Sequence, residues 1–258
     1  MKIYVLVKEV PDTYGDRKLD LETGLADRGA GDVVLDEITE RALEVALSYA
    51  DKNAGTEVVA LSMSPESATA SVRRALAIGA ASAVHVVDEQ LRGADLVLTA
   101  ATLAAAIRRG EPDLVITGNL STDGSGGVIP AMLAEHLGFT QATALSAVEI
   151  AEGQVSGTRS GDAGTQQVTA ALPAVISITE ALPDARFPNF KGIMAAKKKP
   201  LEVLSLADLG VSADPAEVPH TIMTAVSEKP PRAAGVKIVD EGDAAAQLVE
   251  FLAQNRLV

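Results

Sequence analysis

Residues 113–127 read DLVITGNLSTDGSGG, an apolar run followed at once by a loop that has four glycines in ten residues. The run at 113–117 is typical of a buried strand, since it is short and bounded by turn residues. The stretch at 128–137 predicts a helix that ends at Gly138. We call residues 118–127 the glycine loop. Its backbone N–H groups, together with the positive end of the following helix, can hold a phosphate.

The alternation of strand and helix signals extends over the first half of the chain. Short apolar runs predict strands at 3–7, 57–62, 83–87 and 113–117. Amphipathic stretches predict helices at 36–52, 64–79, 95–109 and 128–137. Asp36 suits the N-cap of the first helix, and Pro65 suits the first position of the second. Such alternation predicts right-handed crossovers and therefore an α/β fold with a mainly parallel, doubly wound sheet.

The pattern changes from about residue 144. Short segments rich in turn residues predict additional β-hairpins at 145–150, 154–158 and 166–172, and a buried strand follows at 173–178. Residues 180–200 contain prolines, two phenylalanines and a lysine run with little periodicity, which predicts a long ordered loop with a function. We expect residues 1–205 to form the α/β domain. Residues 206–258 predict an extended C-terminal arm, a linker closed by a helix at 243–254, which either packs back on its own domain or reaches a partner subunit.

Composition excludes several classes of function. The 258 residues carry a formal net charge of −13, so phosphate repulsion argues against general nucleic-acid binding. The absence of cysteine excludes disulfides, thiolate metal sites and a cysteine nucleophile. The apolar run near the amino terminus is too short for a secretory signal, and the stretch at 94–107 falls short of a membrane span. We therefore expect a cytoplasmic protein that does not span a membrane.

Polar residues follow three of the predicted strands, at 9–12, 62–64 and 118–127. Ligands of an open parallel sheet bind outside the carboxyl ends of its strands, so these segments are candidate binding residues. The glycine loop matches no standard phosphate motif, because GxxxxGK[ST] is absent and GxGxxG from Gly124 fails at Ile129. The residues favour nucleotide binding over a simple tight turn, without specifying the nucleotide.

The sequence contains no recognisable catalytic constellation. Its three histidines, His85, His136 and His220, have neither metal-ligand spacing nor paired carboxylates around them. The GxSxG pattern of a nucleophilic serine is also absent. We therefore expect a binding protein without a catalytic or metal site.

Several ordered motifs carry a resemblance to one family. Residues 5–13 read VLVKEVPDT, residues 75–80 read ALAIGA, residues 193–199 read IMAAKKK, and residues 231–235 read PRAAG. Gln166 and Val168, followed by a proline and two β-branched residues at 173–176, match the second half of a longer signature, whose first half keeps Arg159 and Asp162. Together these motifs, spread over about 230 residues, resemble the β subunit of electron transfer flavoproteins.

The resemblance implies a nucleotide α-hydrolase-like sheet and a role as an electron carrier. In that family the β subunit forms a heterodimer with an α subunit, which holds most of a redox-active FAD. The pair accepts electrons from acyl-CoA dehydrogenases and similar flavin dehydrogenases, as in fatty acid oxidation, and passes them to a membrane quinone oxidoreductase. The common β subunit also binds an AMP that has no redox role.

The resemblance also implies specific site residues. The expected contacts with AMP are Leu6, Asp36, Glu37, Ile38, Thr39, Met63, Gly118, Asn119, Leu120, Ser121, Thr122, Asp123, Gly124, Ser125, Gly126, Gly127, Val128 and Ile129. The residues expected near the flavin are Thr13, Tyr14 and Ile38. Many relatives have an Asn-Pro-aromatic segment where this chain has Asp36, Glu37 and Ile38, so one aromatic contact toward the flavin is missing.

Residues 184–199, which we call the docking segment, align with the family's partner-recognition loop. Its apolar anchor aligns with Phe190, and a single apolar side chain that fills a partner's pocket makes a small, fast-exchanging contact. Neighbouring lysines can steer acidic partners toward it, or instead contact the α subunit or the chain's own domain. The expected docking residues are Phe190, Ile193, Met194, Lys197, Lys198 and Lys199.

Two alternatives remain open at the level of sequence. An electron-bifurcating relative carries a second FAD in place of AMP, and the glycine loop does not distinguish the two because AMP is part of FAD. A nucleotide-sensing module that resembles universal stress proteins shares the sheet and loop. Such modules are shorter, however, and lack both the docking segment and the C-terminal arm.

Overall fold

The computed structural model describes residues 1–15, 17–214, 216–217, 221–232 and 234–258. These residues form two compact units, Met1–Thr224 and Ala225–Val258. The second unit contains one described helix, α7, at Ala244–Gln254, where the sequence predicts the closing helix. Both the domain boundary after residue 205 and the role of residues 206–258 as an extended arm stay predictions.

Eleven strands are present among the described residues. They are β1 (Lys2–Leu6), β2 (Glu9–Pro11), β3 (Val33–Leu35), β4 (Glu57–Met63), β5 (Ser82–Val86), β6 (Leu114–Gly118), β7 (Thr140–Ala151), β8 (Gln154–Gly161), β9 (Gly164–Ala171), β10 (Ala174–Ile178) and β11 (Leu201–Leu204). Nine of them form one sheet in the order β11-β5-β4-β1-β6-β10-β7-β8-β9, whereas β2 and β3 pair separately. The sheet is parallel from β11 to β7, and the antiparallel β7–β8–β9 hairpins extend it.

The first unit contains six described α-helices. They are α1 (Glu37–Ala50), α2 (Thr69–Ile78), α3 (Leu96–Gly110), α4 (Ile129–Leu137), α5 (Phe190–Ala196) and α6 (Leu206–Leu209). Asp36 caps α1 and Gly79 follows the last residue of α2, as the sequence predicts. Pro65 is extended and precedes a 3₁₀ turn at Glu66–Ala68, so it does not occupy the first helical position predicted for it.

Helices cover both faces of the parallel sheet. Successive side chains of a strand point to opposite faces, and β1 shows this directly, since Ile3 and Val5 belong to one buried cluster and Tyr4 to another. The first cluster includes residues of α1 and α2, such as Leu43 and Leu76. The second includes residues of α3 and α4. The predicted doubly wound α/β fold with added hairpins is therefore confirmed.

The order of the strands creates a switch point at β1. The chain runs from β1 to β4 and β5 on one side, and then β6 pairs on the opposite side of β1. Leu6 of β1 is in register with Leu61 of β4, and Val5 with Ile116 of β6, so the carboxyl ends of the three strands lie together. Crevices at such points are where open α/β sheets bind ligands.

The structure differs from the sequence-based expectation in residues 180–204. The predicted loop contains α5, which is too short to show helical periodicity, with Asn189 accepting the Gly192 N–H as its N-cap. The edge strand β11 pairs with β5 and was not predicted, because only Leu204 of its four residues is buried. A half-exposed edge strand has no continuous apolar run to reveal it.

Candidate nucleotide site and docking surface

The glycine loop begins at the carboxyl end of β6, beside the switch point. Asn119 donates its backbone N–H to the carbonyl of Ile178 at 2.7 Å, which ties the start of the loop to the end of β10. A Cβ on Gly118 would lie 2.9 Å from Cγ2 of Ile38, so α1 packs directly beneath the loop. The loop therefore lies where the topology predicts a ligand.

Asp36 joins the first helix to the middle of the glycine loop. One carboxylate oxygen of this buried residue accepts the Ile38 N–H at 3.0 Å and caps α1. The other oxygen accepts the backbone N–H of Thr122 at 2.8 Å and its hydroxyl at 3.0 Å. A single buried carboxylate thus holds both a helix terminus and the loop.

Asp123 is held by cations from outside the loop. Its carboxylate contacts the Lys8 ammonium at 2.7 Å and the Arg28 guanidinium at 3.5 Å, and the Lys8 ammonium also donates to the Ser121 hydroxyl. Burial alone would raise the pKa of Asp123. The hydrogen bond and charge of Lys8, with bonds from Ser121 and Gly124, outweigh burial and hold the pKa of Asp123 below its ordinary value. The carboxylate is thus ionised at neutral pH and its charge is matched locally.

The end of the glycine loop presents free backbone donors. Within the part of the chain that the structure describes, the N–H groups of Gly126, Gly127 and Val128 form no hydrogen bond. Gly127 has a φ of +67°, a left-handed conformation in which a side chain would be strained. Val128 precedes α4 without a side-chain cap, so the first turn of α4 also lacks an acceptor at its positive end. These features fit a phosphate.

The other predicted nucleotide contacts divide into two groups. Leu6 and Met63 are partly exposed at the carboxyl ends of β1 and β4, and Glu37 is exposed at the start of α1. Ile38 and Thr39 are buried, and the Thr39 hydroxyl donates to the carbonyl of Asp36. The buried pair packs beneath the loop. Ile38 is 5% exposed, and its predicted contact with the flavin stays a prediction.

Thr13 and Tyr14 lie in the segment after β2. Tyr14 is 99% exposed, and its backbone N–H donates to the Asp12 carboxylate at 3.0 Å. Tyr14 and Asp12 border an open cavity of about 300 Å³ that Arg17 also lines. The aromatic ring is therefore accessible for a contact with a bound group or a partner.

Sequence reasoning missed Lys8 and Arg28 as partners of the glycine loop. Lys8 lies two residues after the end of β1, and this position at a strand's carboxyl end is the signal that identifies it. Arg28 lies between β2 and β3, donates to the carbonyl of Glu9, and has no comparable signal in its neighbourhood. The contact between Lys8 and Asp123 joins residues 115 positions apart.

The described histidines have structural surroundings. His85 is buried in β5, and its Nε2 lies 2.8 Å from the hydroxyl of Ser64. Burial lowers the pKa of His85, which keeps its ring neutral near pH 7. His136 lies in the last turn of α4, and His220 lies outside the described residues. Across those residues the structure contains no cluster of potential metal ligands.

The docking segment exposes apolar side chains on a short helix. Phe187 and Phe190 are 88% and 79% exposed, and about half of the surface of Ile193 and Met194 is accessible. Phe190 is the first residue of α5, so it projects from the helix terminus. Exposed aromatic residues of this kind are typical anchors of protein–protein contacts.

The three lysines of the docking segment differ in their surroundings. Lys197 and Lys198 are exposed. The Lys199 ammonium donates to the carbonyls of Leu76, Gly79 and Ala80 at 2.8, 3.3 and 2.6 Å, at the end of α2, and burial lowers its pKa. The Lys199 ammonium therefore contacts the chain's own domain, which is one of the alternatives that the sequence left open, and its docking role stays a prediction.

No helix among the described residues has both the length and the apolar character needed to cross a membrane. The longest, α3 at Leu96–Gly110, contains two arginines in its last turn and packs on the sheet.

Comparison with known proteins identifies the family. Residues 23–209 match the family model described as the electron transfer flavoprotein domain. The chain is 45% identical to the electron transfer flavoprotein subunit beta of Mycobacterium tuberculosis over 99% of both chains. It is 35% identical to the subunit of that name from Syntrophomonas wolfei, over 98% of this chain and 96% of the relative. It is also 33% identical to the caffeyl-CoA reductase-Etf complex subunit CarD of Acetobacterium woodii, over 82% and 81%. The chain therefore belongs to the electron transfer flavoprotein family, and within it to the β subunits.

Proposed function

We propose that this chain binds AMP in the glycine loop and forms, with an α subunit, a heterodimeric carrier of electrons between flavin enzymes. The observation that carries the proposal is the set of free N–H groups at 126–128, placed at the switch point of the sheet beside the uncapped start of α4. Backbone donors bind a phosphate without doing chemistry on it. The nucleotide is thus a structural ligand.

The side chains around the glycine loop prepare it for the phosphate. Asp36 bonds Thr122, and Lys8 bonds Asp123 and Ser121, so side chains of the domain hold the middle of the loop. Pre-ordered donors bind more tightly because no ordering cost falls on the binding step. Leu6 and Met63 supply apolar surface at the neighbouring strand ends for the base.

FAD supplies the redox chemistry of the complex when it is bound, mainly by the α subunit. This chain contributes surface near the flavin through Thr13 and the exposed ring of Tyr14. The docking segment presents Phe190, with Ile193 and Met194 beside it and Lys197 and Lys198 close by, to the partner enzymes. A small apolar anchor with flanking positive charge suits rapid exchange of partners.

The partners are acyl-CoA dehydrogenases and similar flavin dehydrogenases as donors, and a quinone oxidoreductase as acceptor, with the carrier in the cytoplasm. The name of the Acetobacterium woodii relative supports a link to enzymes of CoA thioesters, since it is a subunit of a caffeyl-CoA reductase-Etf complex. The chain itself acts as a carrier subunit in fatty acid oxidation and not as an enzyme.

The test is electron transfer by the reconstituted heterodimer. The chain is co-expressed with its candidate α subunit, and an acyl-CoA dehydrogenase with its acyl-CoA is added under anaerobic conditions. We expect the flavin of the heterodimer to bleach at a rate proportional to the added dehydrogenase and to an extent set by the acyl-CoA, and to recover when a quinone oxidoreductase and quinone are added. A heterodimer whose flavin stays oxidised with active dehydrogenases of several chain lengths would contradict the proposal.

A further inference from the structure

Arg186, in the docking segment, donates four hydrogen bonds to two carboxylates of the domain. Its backbone N–H and its Nε both donate to Oε2 of Glu44, at 3.0 and 2.8 Å. One terminal nitrogen, Nη2, donates to Oε1 of the same carboxylate at 2.8 Å and to the Asp51 carboxylate at 2.9 Å. The guanidinium therefore binds the Glu44 carboxylate with two parallel hydrogen bonds. This bidentate geometry is the strongest available to an arginine–carboxylate pair.

Glu44 is a firm support for this contact. It lies in the middle of α1, only 15% of its side chain is exposed, and it also accepts the hydroxyl of Ser48 at 2.8 Å. Burial alone would raise the pKa of Glu44. The hydrogen bonds from Arg186 and Ser48 outweigh burial and hold the pKa of Glu44 below its ordinary value, so the carboxylate is charged at neutral pH.

Other contacts bind the docking segment to the domain on both sides of its exposed aromatic residues. Arg41 of α1 pairs with Asp184 at the start of the segment. At the far end, Arg73 of α2 donates to the carbonyl of Ala196 at 3.0 Å. A Cβ on Gly192 would lie 2.5 Å from the carbonyl oxygen of Ala77, so α5 packs backbone to backbone against α2. The segment is thus bound to two helices of the domain.

Two aromatic side chains lie between these contacts and are largely exposed. Phe187 follows Arg186 directly and Phe190 begins α5, and both rings are largely in solvent. A mobile segment would have to be ordered each time a partner binds, and that cost would weaken every short-lived complex. A segment that is already bonded to the domain avoids this ordering cost.

We propose that Arg186 is a positioning residue for docking. Its hydrogen bonds to Glu44 of α1 fix the backbone that carries Phe187 and Phe190. The inference rests on the proposed docking function of this segment. Arg186 touches neither flavin nor reacting atoms in this role, so it acts on the formation of the complex and leaves the rate within the complex unchanged.

The test compares variants of the co-expressed heterodimer. Arg186→Ala removes the hydrogen bonds of the guanidinium to Glu44. Glu44→Gln removes the negative charge of the carboxylate while keeping the side-chain shape, and Arg186→Lys keeps the positive charge but not the two parallel hydrogen bonds. Each is assayed for KM and kcat with the heterodimer as varied substrate of an acyl-CoA dehydrogenase. Hydrogen exchange of the docking segment, FAD and AMP content, and Tm are measured on the same samples.

We expect Arg186→Ala to raise KM by about tenfold, since ordering one residue of backbone costs that much binding. The kcat and the nucleotide content should stay unchanged, and hydrogen exchange at 184–190 should rise. The KM values of Glu44→Gln and Arg186→Lys should lie between those of the wild type and Arg186→Ala. Arg109→Ala is the matched control, since it breaks an exposed arginine–glutamate pair with Glu202 on β11 at the sheet edge and should change neither KM nor exchange.

The outcomes separate this inference from the proposed function. If Arg186→Ala and Glu44→Gln leave KM unchanged while Phe190→Ala raises it, the positioning role is overturned and the docking function stands. If Phe190→Ala also leaves KM unchanged, the proposed docking function fails and the inference with it. Should Arg186→Ala fold poorly, Glu44→Gln decides the matter, because it retains the volume of the side chain on α1.

Discussion

The glycine loop and the docking segment are held to the same domain in opposite ways. In the glycine loop, side chains from elsewhere bind its middle, as Asp36 and Lys8 do, and the backbone donors of 126–128 have no acceptor among the described residues. In the docking segment, the backbone is fastened through Arg186 and Gly192, and the side chains of Phe187 and Phe190 are left free.

The difference matches what each region has to recognise. A phosphate is small and acceptor-rich, so a set of aligned N–H groups is enough to bind it. A protein partner offers apolar pockets, and an aromatic side chain on a fixed backbone fills one at little ordering cost. In both sites the chain is bonded to the rest of the domain, and the sites differ in whether the backbone or the side chains are presented.

The largest effect is expected at Asp36, which holds both the start of α1 and the glycine loop and has no contact with the docking segment among its hydrogen bonds in the described residues. Asp36→Ala removes the cap of α1 and leaves Thr122 without its acceptor, so we expect a loss of roughly 3 kcal/mol in the free energy of unfolding. Nucleotide retention should fall as well. Urea denaturation and nucleotide release measure the two effects.

Ser205→Ala is the matched control for Asp36. It removes the N-cap of α6, at the β11 edge of the sheet. We expect a smaller loss of stability and full nucleotide content. If both variants lost nucleotide equally, general destabilisation would explain the effect and Asp36 would have no specific link to the loop.

The next effect concerns the docking segment. Phe190→Ala should slow reduction of the heterodimer by an acyl-CoA dehydrogenase at low carrier concentration by roughly tenfold or more, the size expected for an interface anchor. FAD content should stay intact, as absorbance of the purified complex shows. Val203→Ala trims an exposed apolar residue of β11 and should have no effect. Unchanged rates in Phe190→Ala would remove its anchor role.

A smaller effect is expected at Gly127. Gly127→Ala forces a side chain into a left-handed conformation, which costs roughly 1 kcal/mol, and it misaligns the free N–H groups. Gly153 in the β7–β8 turn has a φ of +75° and open space around it, so Gly153→Ala carries the same strain away from the site. Both variants should lose similar stability by thermal unfolding, but AMP should be lost only from Gly127→Ala.

The smallest effect is a pH dependence at Asp123. Its pKa is lower in the folded chain than in the unfolded one, so its contribution to stability is present above an unfolded pKa of about 3.9 and is lost as pH falls through the folded value. The stability difference between the wild type and Asp123→Asn should therefore be constant from pH 7 to 5 and shrink below about pH 4. Urea titrations at each pH measure it, and a difference that grew on acidification would contradict the assigned ion pair.

The sequence predicts the parts of the molecule whose signals are local. The strand before the glycine loop, the cap at Asp36 and the stop at Gly79 follow from neighbouring residues and are confirmed. The helix α5 was missed, because seven residues that include Gly192 and two half-exposed apolar side chains show no amphipathic period.

Contacts between distant residues could not be predicted in the same way. Arg186 and Glu44 are 142 positions apart, and each looks like an ordinary surface charge in its own neighbourhood. Lys199 belongs to a lysine run typical of a solvated face, yet its ammonium is used at the end of α2. Only the folded arrangement of α1, α2 and the docking segment gives these residues their partners.

The central claim is that the glycine loop holds one AMP while the redox flavin lies mainly on the partner subunit. The most direct measurement is to purify the heterodimer from co-expression, release its nucleotides by denaturation and quantify them against protein. We predict one FAD and one AMP per heterodimer. Two FAD per heterodimer would contradict the claim and place this chain with the bifurcating relatives. ATP bound to the isolated chain, without association with the α subunit, would contradict it in favour of a nucleotide sensor.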